Sequence, residues 1–165
     1  MRVYVPATMT ALRELLDIGA LTGEPITAFA ITPGLREWYL DDDMDELEYA
    51  AMLEAARGSL RLLDADDSAA RRRVVVTAEV PDADVDVRDD LDRGVVRVRT
   101  PIPVAAVASV HVDDPEAEPT VAAAAQSVIA ADLGDAGSQD TVDDAEGYEL
   151  SWYASQEIGP LLDLL

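Results

Sequence analysis

Cysteine, lysine and asparagine are absent from this 165-residue chain, and histidine occurs once, at His111. Each absence removes a class of chemistry. Without cysteine there is no thiol nucleophile, no disulfide and no thiolate zinc site. Without lysine there is no Schiff base and no P-loop lysine. A single histidine excludes an HExxH pair and any multi-histidine metal centre. No GxGxxG and no GxSxG string occurs. Long apolar runs are missing too, so no membrane span is expected. The opening MRVYVPATMT has no apolar stretch after Arg2, so no secretory signal is expected, and the cytoplasm is the default location.

What is present is acid. Thirty-four Asp and Glu against twelve Arg give a net charge of −22. Clustered cations are what release counterions from a phosphate backbone, so neither nucleic acid nor an anionic membrane is an expected partner. Only Arg71-Arg72-Arg73, joined by Arg97 and Arg99, forms a local basic group. Arginine without lysine points to a GC-rich codon bias more than to a high-salt cytoplasm, and neither cause speaks to function. The apolar fraction of 49% supports a real core, and with 5% aromatics that core is aliphatic. One globular domain spanning 1–165 is expected.

Local patterns predict the elements. RVYV before Pro6 reads as a strand, Thr8 or Thr10 caps a helix ending at Gly19, and Ile26–Ile31 reads as a second strand. This order predicts a right-handed βαβ unit with parallel strands. Thr32-Pro33 opens a short helix, and Asp43 with Glu46 caps a long one over Met44–Leu63. Strands follow at Arg73–Val80, Val95–Val98 and Val107–Val112, then an alanine-rich helix over Thr120–Ala131. Residues 132–147 lack periodicity and predict a mobile acidic loop. Tyr148–Tyr153 is a last strand, and Ser155 caps a terminal helix. The expected fold is an α+β or α/β sandwich, a mixed sheet of about five to six strands covered by helices.

His111 is the one acid–base candidate. In Ser109-Val110-His111-Val112-Asp113-Asp114, alternation places Ser109, His111 and Asp113 on one face, with Asp114 following. The strand ends at Thr8, Thr32, Asp113 and Ser155 each run into a helix start. If those strands are parallel neighbours, their polar groups converge on one edge with His111. The alternative is a half-buried structural histidine with acids that favour a helix start. A second candidate is an aromatic and arginine surface for a partner or small ligand, with Arg36, Trp38 and Tyr39 in one segment and Trp152, Tyr153, Gln156 and Glu157 in another. The carboxylate runs Asp82/Asp84/Asp86 and Asp41/Asp43/Asp45 miss the Gly and Glu of a calcium loop, since Val87 and Arg93, then Glu46 and Met52, stand there instead. No metal and no cofactor is expected.

The strings MRVYVPAT, ITPGLREWY, ELEYAA, SLRLL, RRRVVV, ASVHVDDPEAEP and LSWYASQEI resemble those of a family of small acidic actinobacterial proteins, a domain of unknown function. The resemblance implies an actinobacterial cytoplasmic protein and carries no activity or site residue. Three functions stay open. The leading one is a non-catalytic interaction or regulatory protein with an acidic surface and a protein partner near Trp38, Tyr39 and Trp152. The others are a small-ligand binder or enzyme using His111 with nearby carboxylates, and a nucleic-acid mimic. Oligomeric state is not legible in the sequence.

Overall fold

The computed structural model describes residues 1–40 and 42–164. Asp41 therefore lies outside the described residues. Among the described residues, nine strands and six α-helices follow one another in this order: β1 (Arg2–Ala7), α1 (Met9–Ile18), β2 (Ala20–Leu21), β3 (Ile26–Phe29), α2 (Pro33–Trp38), α3 (Met44–Ala65), β4 (Val74–Glu79), β5 (Val85–Val87), β6 (Val95–Val98), β7 (Ile102–Pro103), β8 (Val107–Val112), α4 (Glu118–Asp132), α5 (Ala136–Glu146), β9 (Ser151–Ala154) and α6 (Ile158–Asp163). Seven strands form one antiparallel sheet in the order β5-β6-β3-β1-β4-β8-β9, and β2 pairs with β7 in a small second sheet.

The caps explain the helix limits. The Thr8 hydroxyl accepts the Ala11 N–H at 3.1 Å to start α1, and Gly19 at φ 89° ends it in the left-handed region that other residues resist. Thr32 caps α2 with Pro33 in its first turn. Asp43 caps α3 by accepting from the Asp45 N–H at 3.0 Å.

Alternation gives the sheet two apolar faces. Val3, Val5, Val74, Val76, Val96, Val98, Val110 and Val112 pack with Leu12 and Leu15 of α1 and Leu161 and Leu162 of α6. Each such burial contributes about 1.5–3 kcal/mol before the entropy of ordering is counted. On the opposite face, Tyr4, Phe29, Val75 and Val95 meet Leu47, Ala51, Ala55 and Ala56 of α3. The outer side of α3, at Leu60 and Leu63, carries the α4–α5 hairpin through Val121, Ala124, Val128 and Val142. Helix α3 is thus the middle of three layers. Among the described residues, no helix is long and apolar enough to cross a membrane.

Three expectations need correction. First, β1 and β3 are antiparallel, with Tyr4 opposite Phe29, and no βαβ unit opens the chain. The chain does not return directly from α1: β2 pairs with the distant β7 first, so the next strand enters from the opposite end. Second, the large sheet has seven strands, the addition being β5, which is only Val85–Val87 and lies inside an acidic stretch. Third, residues 136–146 form helix α5 where a loop is expected from the polarity of 132–147. Asp135 caps it by accepting from the Ser138 N–H at 2.9 Å, and Val142 and Ala145, three apart, are its buried stripe. Two buried apolar positions in eleven are too few to register as helical periodicity.

Candidate functional site

The helix-covered face of the sheet is not fully covered. Helix α3 lies over β1, β4 and β3 and leaves the same face of β8 and β9 open on one flank. The result is a groove of about 330 Å³ lined by Arg2, Tyr4, Asp45, Glu48, Tyr49, Met52, Thr77, Ser109, His111 and Trp152. Its size falls at the low end of small-ligand sites.

Strand register builds the floor. Tyr4 is opposite Thr77 and Thr77 opposite Ser109, forming one polar row across β1, β4 and β8. The neighbouring row runs from Val75 to His111 to Trp152 across β4, β8 and β9. A register shift at Thr77/Ala78 pairs Ala78 with Val107 and leaves Ala108 out of the pairing. This bulge lets Val107 join the core while Ser109 and His111 still face the groove, a device common beside functional sites. The wall is helical: Asp45, Glu48, Tyr49 and Met52 are spaced i, i+3, i+4, i+7, one face of α3.

Two polar atoms in the floor are buried without a hydrogen-bond partner among the described residues, Thr77 Oγ1 and His111 Nδ1. Thr77 is 4% exposed, and an orphaned buried hydroxyl costs about 1–3 kcal/mol. Native proteins satisfy nearly all such groups, so a pair of orphans lining one groove asks for a ligand or ordered water. Burial pushes the His111 imidazole below its ordinary pKa, which favours the neutral ring. The unfolded chain then takes up this proton below pH about 6.5 while the folded chain does not, so stability falls as pH drops through that region. Melting curves should show wild type losing more Tm than His111→Gln between pH 7 and 5.5; parallel losses would show that the ring is not held neutral.

The sequence candidates are distributed over several places. His111 and Trp152 come together, with Trp152 60% exposed at the rim. Asp113 is fully buried and committed elsewhere: its carboxylate accepts from Arg73 Nε and a terminal guanidinium nitrogen, each at 2.8 Å, and from the Arg73 backbone N–H. Asp114 accepts from the Ser151 hydroxyl at 2.9 Å. Arg36 pairs with Asp42 at 2.7 Å, and Trp38 is covered by the Arg93 guanidinium at 3.6 Å. Trp38 and Tyr39 line a separate small cleft with Ala50 and Glu54, which project from the opposite side of α3 to the groove wall. Tyr153 packs on the other face of the sheet, Gln156 is exposed, and Glu157 accepts the Ala154 N–H. Because the strands are antiparallel, Thr8 and Asp113 end on one edge of the sheet and Thr32 and Ser155 on the other, so the four strand ends do not converge.

The arginine triplet is structural. Arg71 donates to the Leu63, Asp66 and Ala69 carbonyls at the end of α3, Arg72 to the Asp113 carbonyl, and Arg73 to the Asp113 carboxylate. Sequence reading missed Tyr4, Thr77 and the α3 wall. The available signal was the alternation Tyr4/Pro6 and Val75/Thr77, which places polar groups on the same face as Ser109 and His111. Among the described residues, no group of three or more His, Asp or Glu is placed to hold a metal ion.

The residues of this groove and of the strands beneath it fall within a stretch, residues 1–162, that matches a family of unknown function, DUF6912. The chain belongs to that family. No curated protein and no solved structure matches it.

Proposed function

We propose that this protein is a non-catalytic binding protein for a small planar polar molecule, held in the groove over Thr77 and His111. The observation that carries this reading is the pair of orphaned buried atoms in the floor of one groove. A sheet interior that folds with unpaired polar groups sacrifices stability, and such sacrifice is a mark of sites kept for function. Tyr49 and Trp152 at the rim supply flat apolar faces for a ring, and Tyr4, Thr77, Ser109 and His111 supply hydrogen bonds beneath it.

Binding is favoured over catalysis because His111 Nδ1 has no orienting partner. An acid–base histidine is held by a second group, and both carboxylates that follow it on the chain are engaged elsewhere. A second cleft of about 450 Å³, between α1, the β2–β3 turn and α3, is lined mainly by Pro6, Ala11, Leu21, Ile26 and Leu62. It holds no orphaned buried atom among the described residues, and the cleft of about 530 Å³ beside Arg97 holds one, against two in the groove.

The test is a stability–binding pair. Thr77→Val replaces the orphaned hydroxyl by a methyl and should raise stability by about 1 kcal/mol, roughly 2–4 °C in Tm. In the wild type, at least one of nicotinamide, adenine and benzamidine should move the NMR signals of Ser109, His111 and the Trp152 indole, and Thr77→Val should weaken that response. A clear loss of stability in Thr77→Val, with no probe moving those signals, would overturn the reading.

A further inference from the structure

The charges around the groove say more about what it takes. Arg2 is the only cation in the lining, and its Nε donates to Glu79 at 2.7 Å, so its charge is already balanced. Asp45 and Glu48 stand on the α3 wall, and neither forms an ion pair among the described residues. Asp45 lies in the first turn of α3, where a carboxylate favours helix initiation by itself. Glu48 does not have that explanation. It is one turn further in, half-buried, and close enough to Tyr4 and Arg2 to influence both. The wall therefore carries two carboxylates outside any ion pair, with Arg2 near Glu48 but bonded to Glu79, above a floor of hydroxyls and a buried imidazole nitrogen.

The rim adds aromatic faces in the right place. Trp152 and Tyr49 are 60% and 51% exposed, and the negative faces of such rings attract cations. A second, independent observation points the same way from below. Thr77, 4% exposed, lines the groove with its hydroxyl unpartnered, and the neutral His111 ring beside it leaves Nδ1 unpartnered, an acceptor in the tautomer that carries its proton on Nε2. An acceptor in the floor and carboxylates on the wall both ask for N–H donors. An anion would meet two carboxylates and no unpaired cation.

Resting on the reading of the groove as a small-ligand site, we infer that its ligand is a planar organic cation with N–H donors on its flat head, of the amidinium, guanidinium or protonated aminoheterocycle class. The ring or planar head lies against Trp152 and Tyr49. One N–H is directed to His111 Nδ1, and the positive charge faces Glu48 and Asp45. Binding is weak for a one-ring probe in so open a groove, on the order of 1 mM.

Three nearly isosteric probes separate this inference from the reading it rests on: benzamidinium (cation), benzamide (neutral) and benzoate (anion), titrated into the full chain and followed by amide and indole NMR signals at constant ionic strength. Benzamidinium should bind about tenfold more tightly than benzamide, with benzoate giving no saturable response. Its shifts should cluster at Ser109, His111, Trp152 and the first turns of α3. Glu48→Gln should bring benzamidinium close to the benzamide affinity without lowering Tm. Equal affinities for benzamide and benzamidinium, or no effect of Glu48→Gln, would overturn the cation inference and leave the groove reading intact. Benzamidinium shifts scattered over the acidic surface would also overturn it, because they would reflect only the net charge. No response in the groove to any of the three would overturn the cation inference, and silence of nicotinamide and adenine as well would overturn both.

Discussion

Asp113→Asn should cost about 3–5 kcal/mol, on the order of 10 °C in Tm, the largest effect expected of any polar substitution in this protein. Arg73 is 1% exposed and Asp113 is 0% exposed, so neither can fall back on water. The carboxylate takes three hydrogen bonds from Arg73, one of them from its backbone, and Arg73 also donates to the Tyr148 carbonyl at 3.0 Å. Asparagine has the same shape but leaves a buried cation without its counter-charge. The double variant Arg73→Met/Asp113→Leu should recover at least half of the loss, because the desolvation of both charges disappears together. Urea melts of the single and double variants check this. A cost below about 1 kcal/mol for Asp113→Asn would show that water reaches the pair.

The second large effect should come from a single hydroxyl. Ser59 is fully buried on α3, donates to the Ala7 carbonyl at 2.7 Å and accepts from the Val74 N–H at 3.0 Å. Ala7 and Val74 are opposite one another at the end of the β1–β4 ladder, so the hydroxyl ties the helix into the sheet at the point where the strands part. Next to it, Gly58 is pressed against Pro6, where an added Cβ would come within 2.7 Å of the proline ring. This close approach is what brings the serine within reach. Ser59→Ala leaves one buried donor and one buried acceptor unpaired, and should cost about 2–4 kcal/mol with no change in the denaturant slope. A loss under about 0.5 kcal/mol would mean that the two backbone groups close on each other directly.

How much of this was readable in the sequence depends on the range of the interaction. Thr8 and Gly19, Thr32-Pro33 and Asp43 announce helix ends because a cap acts over three or four residues. The valine-rich β4 and β8 announce themselves by β-branched content, and alternation alone puts Ser109 and His111 on one face. Non-local facts were out of reach. Arg73 finds Asp113 forty positions away, and reading Asp113 as a companion of His111 followed its neighbours in sequence. The reversal between β1 and β3 depends on β2 finding β7, some eighty residues later. The groove wall is invisible for a related reason: Asp45, Glu48, Tyr49 and Met52 read as the solvent side of an amphipathic helix, and only the packing angle of α3 turns that side over β8. Helix α5 illustrates a weak local signal, an Asp135 cap over a segment whose polarity suggests coil.

The three layers have a kinetic consequence. The groove's floor belongs to β4 and β8, interior strands whose opposite face is solid valine core, so its conformational freedom is already lost when the protein folds. The wall is the first half of α3, while the second half is fastened by Ser59 below and by α4 above. A bound molecule thus finds one side preorganised and adapts, if at all, only against the first turns of α3 and the exposed Trp152 ring. Encounter needs no rearrangement of the floor's backbone, so discrimination among ligands of similar shape will appear in how long each stays rather than in how fast each arrives.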